Sequence, residues 1–180
     1  MAIDFSKAFD MVNHTRLISA LIFSPLSNNT KHWLSVYLKG RTVSCRYNFT
    51  LFPSRHARVG VPQGSCISPA LFNFFVSTYP ESVNLLENSD ADDFTDSCSS
   101  PNVPQMAATL TTQASSVEAW ADERGLTISA PKSTITLFTP QTQQSSTHPH
   151  VTLNGSQLPL EKKPRILGVT FDTHFNFTEQ

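Results

Sequence analysis

The chain has 180 residues, of which 39% are hydrophobic and 15% are charged, and its formal net charge is −1. This length allows one domain with a buried core, or one domain with an appendage. The near-neutral charge excludes a strong overall basic field, so any binding of nucleic acid must rest on local patches. The three cysteines form no C-x-x-C pair, which argues against a disulfide framework or a zinc site and favours a reducing compartment.

Neither a membrane span nor a secretory signal is predicted. No apolar run is long enough to cross a bilayer, and the first residues, MAIDFSKAFD, are acidic where a secretory signal would be basic.

The first half of the chain predicts one strand, two amphipathic helices, a second strand and a buried helix. Thr15 is the candidate N-cap of the first helix. Gly40 lies where the second helix should stop. In chain order the segments are MAIDF (1–5), HTRLISALI (14–22), NNTKHWLSVYLKG (28–40), RTVSCRYNF (41–49), the turn-rich loop VGVPQGSCISP (59–69) and ALFNFFVSTY (70–79).

The second half predicts a long helix and then short strands. Apolar residues recur at three- and four-residue steps along 104–125, which is typical of an amphipathic helix. The later segments are two short strands in LTISAPKSTITLF (126–138), a polar linker (139–150), a hairpin in VTLNGSQLPL (151–160) and a final strand in RILGVTFD (165–172). Strands and helices alternate without βαβ regularity, so we expect an α+β fold with a mainly antiparallel sheet.

Four aspartates gather within residues 90–96. Like charges repel, so such a cluster is either a solvated loop or a site for divalent cations. A calcium loop starting at Asp90 fails, because Thr95 and Pro101 occupy its glycine and glutamate positions. A two-metal site would need a further carboxylate from a remote strand. Asp4 ends such a strand, although by itself it could equally be an N-cap.

Five blocks of sequence together resemble a known family. They are AIDFSKAFDMVNH, GVPQGSCISPALFNFF, DADD, GLTISAPKSTITLF and ILGVTFD, in that order. This series resembles the reverse transcriptase palm of non-LTR retrotransposons, the LINE-type elements such as jockey-like ones. The resemblance implies a right-hand polymerase palm, with an antiparallel sheet backed by helices. Residues 1–138 would be the palm with partial fingers, 139–150 a linker, and 151–180 a palm edge leading toward a thumb.

The resemblance implies a set of catalytic residues. Asp4, Asp92 and Asp93 match the aspartates that bind two Mg²⁺ ions, with Mn²⁺ as an alternative metal. The implied reaction is attack by the 3′-hydroxyl of a DNA primer on the α-phosphorus of a dNTP, directed by an RNA template. Lys132 matches a lysine proposed to protonate the leaving pyrophosphate; a solvated turn lysine is the alternative.

The remaining matched positions would line the substrates: Phe5, Phe9, Gln63, Gly64, Ser65 and Gly168. The family places a backbone group near the triphosphate at Phe5, and at Phe9 an aromatic steric gate that excludes a 2′-hydroxyl. From the residues alone, Phe9 could be a core residue, Ser65 a helix cap and Gly168 a strand irregularity. Asp10 would be structural, as a cap of the following helix.

Basic residues occur in small groups that could touch phosphates, although a solvated face is the ordinary reading of any one of them. The groups are Lys39 with Arg41 and Arg46, Arg55 with Arg58, and Lys162 and Lys163 with Arg165.

Two features depart from the family pattern. Asp90 stands where the family has Tyr or Phe, and the flanking segments are polar, so a hairpin there should bury little. No complete fingers region precedes Asp4, and no thumb follows the last block. We therefore expect either a part of a larger retrotransposon polyprotein or a catalytically inactive relic with at most weak nucleic-acid binding. Whether this chain is itself an enzyme stays open, and an intracellular location, nuclear or cytoplasmic, is expected.

Overall fold

The computed structural model describes residues 1–83, 85–140 and 147–173. These residues form a mixed α+β structure of helices and small antiparallel sheets, which confirms the predicted class at that level. Residues 141–146 of the predicted linker, and residues 174–180 of the predicted palm edge, lie outside the described part. The domain boundaries drawn from the sequence stay a prediction.

Helices and strands alternate irregularly along the chain. The helices are α1 (Ala8–Met11), α2 (His14–Phe23), α3 (Asn28–Leu38), α4 (Ser68–Val76) and α5 (Val103–Arg124). The strands are β1 (Ala2–Asp4), β2 (Thr42–Val43), β3 (Arg46–Tyr47), β4 (Thr50–Leu51), β5 (Arg55–His56), β6 (Leu86–Asp90), β7 (Asp93–Ser97), β8 (Thr152–Leu153), β9 (Ser156–Gln157), β10 (Arg165–Ile166) and β11 (Val169–Thr170). None of the helices in the described ranges is both long and apolar enough to cross a membrane.

The chain divides into two compact units, each described by itself. The first unit comprises Met1–Ser6, Tyr79–Glu123 and Thr127–Gln180. The second unit comprises Lys7–Thr78 and Arg124–Leu126.

A three-stranded antiparallel sheet with strand order β1-β7-β6 organises the first unit. Residues on β7 alternate between the two faces, and the inward pair is Phe94 and Asp96. Phe94 joins an aromatic cluster, because its ring centroid lies 5.1 Å from that of Phe5 and 4.8 Å from that of Tyr79. Trp120 on α5 closes this cluster at 5.4 Å from Tyr79. The sheet is therefore fixed to the long helix by aromatic packing.

Helix α5 confirms the amphipathic pattern seen in the sequence. Its buried residues recur at three- and four-residue steps, and they are Ala107, Leu110, Gln113, Ala114, Val117, Trp120 and Ala121. The helix ends one residue before Gly125, whose φ of 71° is the left-handed conformation that commonly terminates helices.

Helices α2, α3 and α4 contribute the core of the second unit, with Leu17, Leu38 and Phe72 fully buried. The predicted cap of α2 is wrong: the side chain of Asn13, rather than Thr15, accepts the hydrogen bond from the backbone N–H of Arg16.

Gly60 lies against the backbone of α1. A Cβ at this position would meet the carbonyl oxygen of Asp10 at 3.0 Å, and the φ of Gly60 is +86°. Only glycine fits this close approach without a shift of the backbone.

Four of the predicted strands have a different form in the structure. Residues 41–49 are split between β2 and β3, which belong to two separate two-residue ladders. Residues 165–172 form the hairpin β10–β11, because Leu167 and Gly168 both have positive φ and make a two-residue turn. In the segment 126–138 isolated bridges replace the two expected strands. The hairpin at Asn154-Gly155 is confirmed.

Asp96 is a buried carboxylic acid in the first unit. Its side chain is fully shielded from solvent, and its Oδ2 accepts a hydrogen bond of 2.9 Å from the Tyr79 hydroxyl. Burial is the main cause that raises the pKa of Asp96 to about 6. Burial and the neighbouring Asp96 also raise the pKa of Tyr79, so the phenol keeps its proton as donor.

We expect the free energy of unfolding to increase as the pH falls from about 7 to about 4. The folded state binds the Asp96 proton more tightly than the unfolded chain does, because its pKa of about 6 lies above the ordinary value of 3.8. This difference in pKa corresponds to at most about 2–3 kcal/mol of the free energy of unfolding. Asp96→Asn cannot ionise and should lose this part of the pH dependence. Urea titrations followed by circular dichroism measure both proteins.

Glu81→Gln is the matched control, because Glu81 is an exposed acid in the same unit. This variant should show the same dependence of the free energy of unfolding on pH as the parent protein. If the free energy of unfolding depended on pH equally in the parent and in Asp96→Asn, Asp96 would not be the source of that dependence.

Candidate active site

Three carboxylates lie in one row across the sheet of the first unit. In the ladder between β1 and β7, Asp4 pairs with Asp93, and in the ladder between β6 and β7, Asp90 pairs with the same Asp93. Residues that are directly opposite in antiparallel strands project to the same face, with Cβ atoms about 4.5–5.5 Å apart. Asp93 is therefore flanked by an acidic side chain on each neighbouring strand.

Asp4 is held by a turn formed by residues 129–133. The backbone N–H of Asp4 donates to Ser133 Oγ at 3.1 Å, and the N–H of Ser129 donates to the Asp4 carbonyl at 2.8 Å. Among the described residues the buried Oδ2 atom of Asp4 has no hydrogen-bond partner. A buried carboxylate oxygen without a donor is costly unless a cation or a donor meets it.

Asp92 lies in the two-residue turn that joins β6 to β7. Its predecessor Ala91 has a φ of 53°. An alanine in this left-handed region costs about 1–2 kcal/mol where glycine or asparagine would cost little. Local strain thus occurs at the position that presents the adjacent aspartates, a pattern that is common at functional sites.

The charges of the neighbouring aspartates affect the ionisation of Asp93. Partial burial, followed by the charges of Asp92, Asp4 and Asp90, raises the pKa of the Asp93 carboxyl above its ordinary value. Asp90, which stands where the family has an aromatic residue, therefore raises the pKa of Asp93 together with Asp4 and Asp92.

A cleft of about 630 Å³ opens beside this row. Its lining includes Asp4, Asp90 and Asp93 together with two cations, Lys132 and Arg165. Asp92 and Gly168 are not among the residues that line it, although Leu167 is. The cleft thus combines clustered anions with two basic side chains, as a site for a phosphate-bearing substrate and cations would require.

Carboxylate oxygens are the ligands that Mg²⁺ prefers, so the acidic row has the right chemistry for this metal. The buried oxygen of Asp4 without a partner fits the same role. Within the described ranges, however, no three His, Cys, Asp or Glu side chains are arranged closely enough to hold a metal ion. The donors are thus gathered on one face without forming a closed coordination sphere.

Lys132 and Phe5 differ in what they can present to a ligand. Lys132 is exposed in the turn that holds Asp4. The Phe5 ring is buried and packs edge-on against Phe94 and Trp120. Only the backbone of Phe5 is therefore available for a substrate.

Phe9, Asp10 and Gln63 belong to the second unit. The Phe9 ring is half-buried and stacks on Phe72, with centroids 4.4 Å apart. Asp10 does not cap α2, since Asn13 is its N-cap. Instead, the Asp10 Oδ1 accepts a hydrogen bond of 3.0 Å from Gln63 Nε2. This bond ties the loop of residues 59–67 to α1, a contact between residues 53 positions apart that the sequence pattern did not indicate.

Gly64, Ser65 and Gly168 lie in turns. Gly64 has a φ of +82° with open space around it, and the Ser65 hydroxyl accepts a hydrogen bond of 2.8 Å from the Tyr37 hydroxyl. Ser65 is not the N-cap of α4, a position that Ile67 occupies. Gly168 also has positive φ and open surroundings, as the second residue of the β10–β11 turn.

Sequence reasoning recognised Asp90 as unusual but did not place it in the acidic row. A two-residue turn forces the residues on either side of it to pair. Had Ala91-Asp92 been read as such a turn, Asp90 would have been placed opposite Asp93 in advance.

Comparison with known proteins gives a consistent result. The family model described as reverse transcriptase (RNA-dependent DNA polymerase) matches residues 1–171. A probable RNA-directed DNA polymerase from transposon BS of Drosophila melanogaster is 29% identical over 97% of this chain. The RNA-directed DNA polymerases from mobile element jockey of Drosophila funebris and Drosophila melanogaster are 27% and 26% identical. The chain spans about one fifth of the length of these relatives, 20% in each case.

We expect Asp90→Asn to lower the pKa of Asp93, because one of the charges that raise it is removed. The change should also add about 0.2–1 kcal/mol to the free energy of unfolding near neutral pH. The gain should lie at the lower end, since Asp90 is exposed and salt screens it. A carbon-detected NMR titration of the Asp93 carboxyl measures the shift directly.

Glu123→Gln removes an exposed acid elsewhere in the first unit and should leave the Asp93 titration unchanged. An Asp93 titration curve that is identical in Asp90→Asn and the parent would show that the row does not couple the two side chains.

Proposed function

Because this chain belongs to the reverse transcriptase family, we propose that it forms the palm, with part of the fingers, of an RNA-directed DNA polymerase of a non-LTR retrotransposon. The observation that carries the proposal is the apposition of Asp4 and Asp93 across β1 and β7 beside an open cleft. These positions match the family's metal-binding aspartates. In this proposal residues 1–138 form the palm with partial fingers, 139–150 a linker and 151–180 the palm edge leading toward a thumb.

In this proposal Asp4, Asp92 and Asp93 hold two Mg²⁺ ions. Bound at such a site, the ions would neutralise charge on the reacting phosphate and activate the attacking hydroxyl. The sheet register keeps Asp4 and Asp93 on one face, while the turn at Ala91 sets the position of Asp92. Lys132 is the candidate donor of a proton to the leaving pyrophosphate.

The second unit would contribute contacts to the nucleotide and the template. Stacking on Phe72 holds the Phe9 ring in one orientation, as a steric gate requires. The bond from Gln63 to Asp10 fixes the loop that carries Gly64 and Ser65. Phe5 would act through its backbone, and Gly168 would allow the chain to approach the primer. The partners in this proposal are an RNA template, a DNA primer, dNTP and the rest of a larger polyprotein.

We expect Asp93→Asn to reduce primer extension by at least about 100-fold, because it removes a charge needed in the transition state. The test uses the jockey polymerase of Drosophila melanogaster, in which this chain's residues 1–171 replace the matched region. Extension of a DNA primer on an RNA template is followed with Mg²⁺, and RNA affinity is measured on the same proteins. Affinity should stay within about two-fold.

Glu81→Gln in the same chimera is the charge control and should extend the primer like the unmodified chimera. Extension by Asp93→Asn at the rate of that control would remove Asp93 from the site.

We expect Phe9→Val to admit ribonucleotides. A smaller side chain leaves room for a 2′-hydroxyl, and a steric difference of this kind changes selectivity by about 10- to 200-fold. The ratio of kcat/KM for a dNTP and the matching rNTP measures the change. Phe72→Leu keeps the Phe9 ring but removes the stacking that orients it, so it should lose only part of the selectivity. An unchanged ratio in Phe9→Val would mean that Phe9 serves packing alone.

Asp90 favours a second candidate, a catalytically inactive relic that still binds nucleic acid. Its charge adds to the repulsion around Asp93 and, after partial burial, helps to raise the pKa of that carboxyl, at a position where the family has an aromatic residue. If Asp90 has ended catalysis, the chimera is inactive and Asp90→Tyr restores extension. If the polymerase proposal holds with Asp90 accommodated, the chimera is already active.

A further inference from the structure

The two units differ strongly in charge. Nine of the 13 Lys and Arg residues lie in the second unit, whereas this unit contains only one of the 14 acids, Asp10. Between Met11 and Pro80 there is no Asp or Glu at all. The formal net charge of −1 therefore conceals one strongly basic and one strongly acidic unit. A basic unit attracts polyanions by a long-range field.

The basic charge is concentrated on an exposed hairpin, residues 41–58, which we call the basic hairpin. Its strands pair through two short ladders, β2 with β5 and β3 with β4. Every residue from 42 to 56 is exposed. The side chains of Arg46, Arg55 and Arg58 make no hydrogen bond or ion pair with another residue in the described part of the chain. These guanidinium groups are free to meet an external anion.

Exposed aromatic rings are interleaved with these arginines. Tyr47 is 67% exposed, Phe49 is fully exposed, and Phe52 is 49% exposed. A two-stranded ribbon that buries so little is marginally stable. Apolar rings displayed on it cannot be explained by packing within the described structure.

At the tip of the hairpin, Phe49 has a backbone conformation that is unfavourable for a bulky residue. Asn48 and Phe49 have φ values of 44° and 63°, the signature of a two-residue turn with both central residues left-handed. Asparagine suits such a position, but a bulky residue there is a strained exception. Glycine would form the turn more easily. Phe49 is thus presented to solvent at a conformational cost.

A further stack lies at the base of the hairpin. The Trp33 and Tyr37 rings on α3 are stacked with centroids 5.9 Å apart, and the guanidinium of Arg41 lies 5.0 Å from the Tyr37 centroid. Trp33 is 55% exposed. Aromatic rings and arginine planes together are the groups on which bases stack.

We propose that the basic hairpin is a binding surface for single-stranded RNA, with Arg46, Arg55 and Arg58 on phosphates and Phe49 stacked on a base. Charge complementarity requires a polyanion. The exposed rings favour a single strand, because its bases are unstacked and can present their faces to aromatic side chains. An acidic peptide would satisfy the arginines but not the rings.

This surface lies outside the acidic cleft of the first unit, so it extends the proposed function by locating where RNA is held. The proposal rests on the charge and exposure of the second unit. It does not require nucleotidyl transfer, and RNA binding by the Asp93→Asn chain should be unchanged. The experiments can therefore distinguish a wrong proposal of polymerase activity from a wrong proposal of RNA binding by the basic hairpin.

The decisive experiment uses the 180-residue chain and its Phe49→Gly variant. Fluorescence anisotropy measures the affinity for a labelled single-stranded RNA of mixed sequence, and for labelled heparin as a polyanion without bases. We expect Phe49→Gly to bind RNA at least about five-fold more weakly, the effect of losing one stacked base. Its heparin affinity should be unchanged, and its melting temperature equal or higher, because glycine suits the turn.

The arginines are tested by the double variant Arg46→Ala, Arg55→Ala. It should lose affinity for both RNA and heparin. The slope of log affinity against log salt should become shallower by about 0.7 for each phosphate contact removed. Phe23→Ala is the control, because it removes another largely exposed ring of the same unit, 87% exposed. It should bind like the parent chain.

Three results would overturn the proposal. One is the absence of RNA binding by the parent chain. Another is equal RNA affinity for Phe49→Gly and Phe23→Ala. The third is self-association in sedimentation that these hairpin variants abolish while RNA binding stays intact, which would make a second copy of the chain the occupant.

Discussion

The pairing of β1 with β7 is the constraint on which the candidate site depends. It joins Asp4 and Asp93, which are far apart in the sequence, and it sets them directly opposite each other. Because side chains alternate between the faces of a strand, a slip of one residue would turn Asp93 inward and Phe94 outward. The same register that gathers the acids also seats Phe94 in the aromatic cluster, so fold and site cannot be changed independently.

The acidic row opposes folding, and the inner face of the sheet offsets this cost. Carboxylates on three neighbouring strands repel one another, and this repulsion, after partial burial, raises the pKa of Asp93. On the opposite face, Tyr79 stacks on Phe94 and its hydroxyl donates to Asp96, which fixes β7 at two successive inward positions. Repulsion on one face is thus tolerated because packing and a buried hydrogen bond hold the strand from the other. Such an arrangement is typical of sites that are stabilised further when a ligand binds.

The elements that could be predicted from the sequence are those set by local rules. Helical spacing located α5 and its end at Gly125, and the Asn154-Gly155 turn located the hairpin β8–β9. Residues that a long-range contact decides could not be predicted this way. Gln63 meets Asp10 across 53 positions, and no local pattern encodes this bond. The metal-binding roles of Asp4, Asp92 and Asp93 came from family resemblance and remain a proposal, although two of the three share one row.

The division of charge explains why the net charge of the whole chain conceals a basic unit. A net charge near zero was compatible with local patches, and the folded chain separates the opposite charges into different units. The acidic row would repel a phosphate chain until cations neutralise it, whereas the basic hairpin needs no cofactor to attract one. If both proposals hold, affinity for RNA and competence for chemistry depend on different residues. A copy whose acidic row no longer functions would then keep the first property and lose only the second.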